Sequence, residues 1–196
     1  MVTDCERTVD KVVKKIPGKT NVEGLVFLCE LANALDIDGW FVDLGTYEGR
    51  SAMVMLSGSF GNKMGRKVVS IDDYREGVDA KDPTTARPDF FTVKNRFKCR
   101  PRSHLVFGLT SDVPMLLQGE PVALVFVDAD HTRPGLVADI ETWAPLVVPG
   151  GVMAFDDYGS ERWPDVKPTV DGMMADGWEK IGERGSVAAY RRLEIG

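Results

Sequence analysis

Short apolar segments alternate with amphipathic segments along most of the chain. Val122–Val127 is apolar at every position, which is typical of a central strand covered on both faces. Apolar residues recur at helical spacing from Arg133 to Leu146, which predicts an amphipathic helix there. The same reasoning predicts five strands ahead of the C-terminal hairpin, over 40–44, 67–71, 105–107, 122–127 and 152–155.

Helices are predicted before and between these strands. Thr20 and Glu23 have the spacing of a capping box, so we expect Thr20 to cap the helix that follows it. Pro149-Gly150-Gly151 is expected to form a turn. The predicted helices are 8–16, 20–35, 49–56, 88–99, 113–117, 133–146 and 166–175, and a hairpin is predicted over 178–181 and 186–191.

Strands separated by helices predict a parallel sheet with helices on both faces. Adding the hairpin gives the expected fold class: an α/β, Rossmann-like, seven-stranded, mostly parallel sheet with a C-terminal antiparallel hairpin. We expect a single domain, with an N-terminal helical segment (1–36) packed on the main part (37–196). The length of 196 residues fits one domain with its own core.

The composition disfavours several classes of protein. Three cysteines without CxxC spacing disfavour a disulfide framework and a thiolate zinc site, so a reducing cytoplasm is the expected location. The longest apolar runs are about six residues, and the first residues lack a signal-peptide pattern, so no membrane partner is expected. A net charge of −6 disfavours nucleic acid as a partner. A basic stretch nevertheless keeps an RNA substrate open: Arg87, Lys94, Arg96, Lys98, Arg100 and Arg102.

Two glycines follow the first predicted strand. Gly45 and Gly49 allow a tight turn and close approach of a ligand to backbone amides, and the following helix start favours a carboxylate or phosphate. An ordinary strand-to-helix turn would need the same glycines. Asp72 follows the second strand, where an acid accepts ribose hydroxyls, and Thr110 follows the third, where a short polar side chain suits an adenine edge.

Acidic residues follow two further strands. Asp128 ends one strand, and Asp156 and Asp157 end another, so the three converge if these strands are neighbours. Clustered carboxylates repel one another, and a hard divalent cation such as Mg²⁺ removes that conflict. Turn formation and helix capping by aspartate is the alternative. His131, three residues after Asp128, is a candidate general base beside such a site.

The motifs resemble those of a known family. The run 42–51, VDLGTYEGRS, is similar to motif I of class I S-adenosylmethionine (SAM) methyltransferases. VFVDADH (125–131) and PGGVMAFDDY (149–158) resemble metal-dependent O-methyltransferases of the catechol type and of the macrolide-sugar and cephamycin-cluster type. The resemblance covers about 40–158 and implies SAM and Mg²⁺ as cofactors.

The resemblance also implies a role for each motif residue. Gly45, Tyr47 and Ser51 would hold the methionine end of SAM, with Asp72 on the ribose, Thr110 by the adenine and Asp128 bordering the cofactor. Asp128, Asp156 and Asp157 would bind the metal, and His131 would be the catalytic base. Two positions vary within the family: Asp156 stands where glutamate is frequent, and His131 where catechol-type enzymes have lysine.

We therefore expect a metal-dependent O-methyltransferase acting on a small hydroxylated molecule such as a vicinal diol, a sugar or a catechol. A metal-independent methyltransferase and a non-catalytic SAM-binding module are the alternatives, and a homo-oligomer is left open. The loop 76–87 is expected to border the site. The candidates for a lid or a wall of the substrate site are Phe90, Phe91, Tyr158 and Trp163.

Overall fold

A computed structural model describes residues 2–61, 65–74, 88, 90–98, 100–117 and 119–194. In these residues the helices are α1 (Asp4–Val13), α2 (Val22–Ala34), α3 (Arg50–Gly61), α4 (Phe90–Phe97), α5 (Arg133–Trp143) and α6 (Val166–Met173). The strands are β1 (Trp40–Leu44), β2 (Val68–Asp72), β3 (Ser103–Phe107), β4 (Val122–Val127), β5 (Val147–Phe155), β6 (Trp178–Arg184) and β7 (Val187–Arg192). Short 3₁₀ segments cover Val113–Leu117 and Ala144–Leu146.

The strands form one sheet in the order β3-β2-β1-β4-β5-β7-β6. The first five are parallel, and β7 pairs antiparallel with both β5 and β6. The predicted fold class is confirmed. The order reverses at β1 and β4, so a crevice is expected beyond their carboxyl ends.

Strand register brings the ends of β1, β4 and β5 together. Leu44 pairs with Val127, and Val127 pairs with Phe155. All six residues of β4 are buried, as expected for a strand whose alternating side chains are apolar on both faces of the sheet. The polar residues that follow these strands therefore emerge side by side.

Apolar side chains fill both sides of the sheet. Trp143 and Phe155 belong to the core on one side, and Phe41 and Phe126 to the core on the other. Helix α1 packs on α2 and α3 through a smaller cluster that includes Val9, which is fully buried. No helix in the described parts of the chain is long and apolar enough to cross a bilayer.

The predicted cap of α2 is wrong by one residue. Asn21, not Thr20, caps the helix, and its side-chain oxygen accepts a hydrogen bond from the Gly24 amide at 2.7 Å. Thr20 instead donates its hydroxyl to Asp128 at 3.2 Å. Both residue types are good caps, and here the Thr20 hydroxyl is engaged by a long-range contact instead.

Two other local predictions need correction. Helix α1 begins at Asp4 rather than residue 8, behind a capping box formed by Thr3 and Glu6. The segment 149–151 is part of β5 rather than a separate turn. The pairing of β5 with β4 shifts register there, and Gly150 has a φ of +80°, so the glycines accommodate an irregularity within a continuing strand.

Candidate active site

A cavity of about 1250 Å³ lies over the carboxyl ends of the central strands. It brings together every residue to which the sequence assigned a cofactor-binding, metal-binding or catalytic role. They are Gly45, Tyr47, Ser51, Asp72, Thr110, Asp128, His131, Asp156 and Asp157. Their individual roles remain predictions, but they share one site.

Gly45 allows the β1 and β4 exits to approach each other closely. Its φ is +86°, and a Cβ at this position would lie 2.0 Å from the backbone oxygen of Asp128. Its amide also donates to the carbonyl of Ile71 at 2.9 Å. Glycine is therefore required here by both conformation and space.

Asp43 and Ser51 form a buried pair below this loop. The Ser51 hydroxyl donates to Asp43 at 2.6 Å, and the Asp43 side chain is fully buried. Burial raises the pKa of Asp43 to about 6, although the hydrogen bond from Ser51 acts in the opposite direction. Ser51 thus fixes the start of α3 to β1.

Asp72 joins the β2 exit to the glycine loop. Its two carboxylate oxygens accept hydrogen bonds from the amides of Tyr47 and Tyr74, each at 2.8 Å. The Tyr74 hydroxyl donates back to the Tyr47 carbonyl at 3.1 Å. These contacts fix the Asp72 carboxylate at the end of β2, beside the glycine loop.

Thr110 is held at the β3 exit by helix α5. Its hydroxyl donates to Asp139 at 2.5 Å, and its carbonyl accepts from the Trp143 indole at 3.2 Å. Asp139 also lines the cavity, and burial raises its pKa to about 6. The sequence reasoning missed Asp139, because a single acid inside an amphipathic helix carries no motif.

His131 stands between two carboxylates at the exits of β4 and β5. Its Nε2 lies 3.3 Å from Asp128 Oδ1 and 3.3 Å from Asp157 Oδ2. Burial raises the pKa of Asp128 to about 7, and the charge of Asp156 adds to this. Burial acts to lower the pKa of His131, but the facing carboxylates, Asp128 foremost, outweigh it and raise it overall.

Asp156 and an N-terminal segment complete this part of the cavity. Asp156 is buried and accepts a hydrogen bond from the Ser186 hydroxyl. The segment 17–21 also lines the cavity. There Thr20 contacts Asp128, and Arg50 donates to the Thr20 carbonyl at 2.6 Å. The sequence prediction had used Thr20 as a helix cap and so missed its place in the site.

The carboxylates fit a hard cation by chemistry. Asp128, Asp156 and Asp157 offer only oxygen ligands, and burial raises the pKa of both Asp128 and Asp156, as expected where negative charge lacks full compensation. In the described residues no group of three or more His, Cys, Asp or Glu side chains is arranged to hold a metal ion. Binding a cation would therefore require these side chains to reorient.

Trp163 is the one predicted wall aromatic that lines the cavity among the residues described. It stacks on His131 with ring centroids 5.3 Å apart and an interplanar angle of 22°. Phe90 and Phe91 pack together outside it, and Tyr158 is buried beneath it in a hydrogen bond with Asp171. The loop 76–87 lies outside the described residues.

The basic stretch near α4 forms specific contacts. Arg96 pairs with Glu48, and Arg102 donates to the Gly65 carbonyl at 2.8 Å. Arg100 donates to the Arg96 carbonyl at 2.7 Å. Arg87 lies outside the described residues. These contacts give the arginines structural roles and add no support for an RNA substrate.

Comparison with known proteins identifies the family. Residues 42–158, more than half of the chain, match the family described as a methyltransferase domain. The chain belongs to this family. It is a SAM-dependent methyltransferase, and most of the residues that line the cavity lie within the matched region.

Similar proteins align with most of the length of this methyltransferase. An uncharacterized protein of Acanthamoeba polyphaga mimivirus is 27% identical over 169 residues, which are 81% of this chain and 72% of that protein. The calicheamicin methyltransferase CalS11 is 18% identical with a TM-score of 0.66, covering 96% of this chain and 91% of the other. The O-methyltransferase NovP is 14% identical with a TM-score of 0.74 and covers 97% of both. At these identities the two structures establish a shared fold.

Proposed function

We propose that this methyltransferase transfers the methyl group of SAM to a hydroxyl of a small molecule, with assistance from a divalent cation. The observation that carries the proposal is the meeting of His131, Asp128 and Asp157 in the same cavity as the glycine loop. A base and a carboxylate cluster beside a cofactor cavity suit deprotonation of a hydroxyl.

The strand exits divide the cavity along its length. The glycine loop and the start of α3 suit the carboxylate end of SAM, since amides at a helix start favour an anion. Asp72 suits the ribose, because a carboxylate at this strand end accepts its hydroxyls. SAM supplies an electrophilic methyl group, so the protein's main task is to orient the two reactants.

His131 would accept the proton of the attacking hydroxyl. Its Nε2 points into the carboxylate cluster, while Trp163 covers the ring face. A positioned base typically contributes about 10²–10⁴-fold to the rate. Trp163 would fix the ring orientation and exclude water from one side of the imidazole.

Asp128, Asp156 and Asp157 would hold the cation. A bound divalent ion supplies Lewis-acid stabilisation of developing negative charge on oxygen. Chelating acceptors with two adjacent oxygens, such as vicinal diols, sugars and catechols, would suit this arrangement. A sugar acceptor draws support from a structural neighbour, CalS11, which is described as a TDP-rhamnose 3'-O-methyltransferase.

Turnover with and without metal tests the proposal. The protein is stripped with a chelator and assayed for S-adenosylhomocysteine release over a panel of diols, sugars and catechols, before and after adding Mg²⁺. We expect activity to depend on Mg²⁺ and to be lost in Asp157→Asn. Asp165→Asn, at the exposed start of α6, is the matched control and should keep full activity. No turnover on any hydroxyl acceptor would contradict the proposal.

A metal-independent methyltransferase is the second candidate. The observation that favours it is the position of His131, whose Nε2 already lies 3.3 Å from each of two carboxylates. In that case the carboxylates orient the imidazole without a cation. Full activity in the chelated enzyme, combined with loss in His131→Ala, would establish this alternative.

A further inference from the structure

Helix α5 holds Thr110, which follows β3, through two hydrogen bonds. Asp139 accepts the hydroxyl hydrogen bond of Thr110, and Trp143 donates to the carbonyl of the same residue. Asp139 and Trp143 are four residues apart and so lie on one face of the helix. Both are buried, at 3% and 0% exposure, so this face is fixed by the core.

The contact with Asp139 determines what Thr110 can offer a ligand. A hydroxyl has one proton to donate and lone pairs to accept with, and an ionised carboxylate only accepts. The Thr110 proton is therefore engaged by Asp139. Thr110 lines the cavity, and toward the cavity its oxygen can act only as an acceptor.

The placement of SAM brings the nucleobase to this point. The methionine end is proposed at the β1 exit and the ribose at Asp72 on β2, so the base extends toward the adjacent β3 exit and Thr110. Adenine presents a 6-amino donor, whereas hypoxanthine presents a 6-oxo acceptor. An acceptor-only Thr110 oxygen would match the first and repel the second.

We infer that Asp139 is a positioning residue that makes the site selective for adenine by fixing the hydrogen-bond polarity of Thr110. The inference rests on the proposed placement of SAM and goes beyond it by naming the group that discriminates between bases.

Folding alone does not account for this carboxylate. One oxygen of Asp139, Oδ2, is buried without a hydrogen-bond partner among the described residues. A buried carboxyl with an unsatisfied oxygen costs stability, so a leucine of similar size would serve the core better. A role that needs an acceptor opposite Thr110 explains why an acid occupies the position.

Binding of two cofactor products tests the inference. Titration calorimetry at pH 8, where the Asp139 carboxyl is ionised, compares S-adenosylhomocysteine with S-inosylhomocysteine, which differs at the 6-position of the base. The wild type should prefer the adenine compound by roughly 10–100-fold, because a mismatched hydrogen-bonding group in the site is left unpaired. In Asp139→Leu the Thr110 hydroxyl can rotate and donate, so the preference should fall to about threefold or less.

A double-mutant comparison shows whether Asp139 acts through Thr110. Thr110→Val should reduce the preference as much as Asp139→Leu, and combining the two should reduce it no further. Asp112→Asn is the control, since it removes a nearby exposed negative charge without contacting Thr110. Its preference should match that of the wild type.

The outcomes separate this inference from the proposed function. Failure of the wild type to bind S-adenosylhomocysteine would contradict the placement of SAM itself. Tight binding without preference for adenine, or a preference that persists in Asp139→Leu, would overturn the role of Asp139. If the leucine variant does not fold, Asp139→Ala decides: it removes the acceptor and leaves the Thr110 hydroxyl free to rotate and donate, so the preference should fall at least threefold, and an unchanged preference rejects the inference.

Discussion

Gly45→Ala should disrupt the meeting point of β1 and β4. The residue has a φ of +86°, and an alanine in the left-handed region costs about 1–2 kcal/mol. The added Cβ would also lie 2.0 Å from the Asp128 oxygen and 2.5 Å from its carbonyl carbon. Both atoms are backbone at the end of a fully buried strand, so relief requires the strands to separate.

The size of the effect follows from these two contributions. Overpacking in a well-packed region costs about 1–3 kcal/mol, which brings the expected loss to about 2–5 kcal/mol. Whole domains are stable by only about 5–15 kcal/mol. The urea midpoint should therefore fall by about 1–2 M, and affinity for S-adenosylhomocysteine should fall with it because Asp128 is displaced.

Gly177→Ala separates the two contributions. Gly177 has a φ of +78°, but a Cβ there would meet no atom within 4 Å. It should lose only the conformational part, about 1–2 kcal/mol. Urea unfolding followed by circular dichroism measures both variants. Equal losses for Gly45→Ala and Gly177→Ala would refute the close approach of the loop to Asp128.

Three further predictions address the cofactor, the core and the base. Asp72→Asn should weaken SAM binding by roughly 10–100-fold in calorimetry, since each charge-assisted hydrogen bond contributes about 1.5–3 kcal/mol; unchanged affinity would exclude it from the ribose site. Burial raises the pKa of Asp43 from 3.8 to about 6, so the stability from this group is present below about pH 4 and lost as pH rises through 6. Relative to Asp43→Asn, the wild type should lose about 2 kcal/mol of unfolding free energy, measured in urea, between pH 4 and 7, and a constant difference would contradict this. His131→Ala should lower turnover by about 10²–10⁴-fold with little change in SAM affinity. His104 is exposed on β3, so turnover in His104→Ala should equal that of the wild type.

The strand framework could be predicted because buried parallel strands leave a clear pattern. Trp40–Leu44 and Val122–Val127 match the predicted bounds: Val122–Val127 is apolar at every position, and in Trp40–Leu44 only Asp43 is polar. The cavity followed from the same pattern. Residues just after parallel strands must emerge at one edge of the sheet, so the sequence alone assigns Asp72 and Asp128 to one site.

Contacts that depend on tertiary approach could not be predicted. Thr20 and Asp128 are 108 residues apart, and Thr110 and Asp139 are 29 apart, with no spacing rule that links either pair. For the segment 149–151, in contrast, the local sequence signal itself was misleading. Its proline and glycines are a strong local turn signal, but pairing with β4 keeps the strand continuous through an irregularity.

A crystal structure with S-adenosylhomocysteine and Mn²⁺, using the anomalous signal of the metal, tests the central claim most directly. We expect ribose hydroxyls on Asp72, the sulfur facing His131, and an anomalous peak within about 2.5 Å of oxygens from Asp128, Asp156 and Asp157. A nucleoside bound away from the β1 and β2 exits, or a metal peak distant from these three carboxylates, would contradict it.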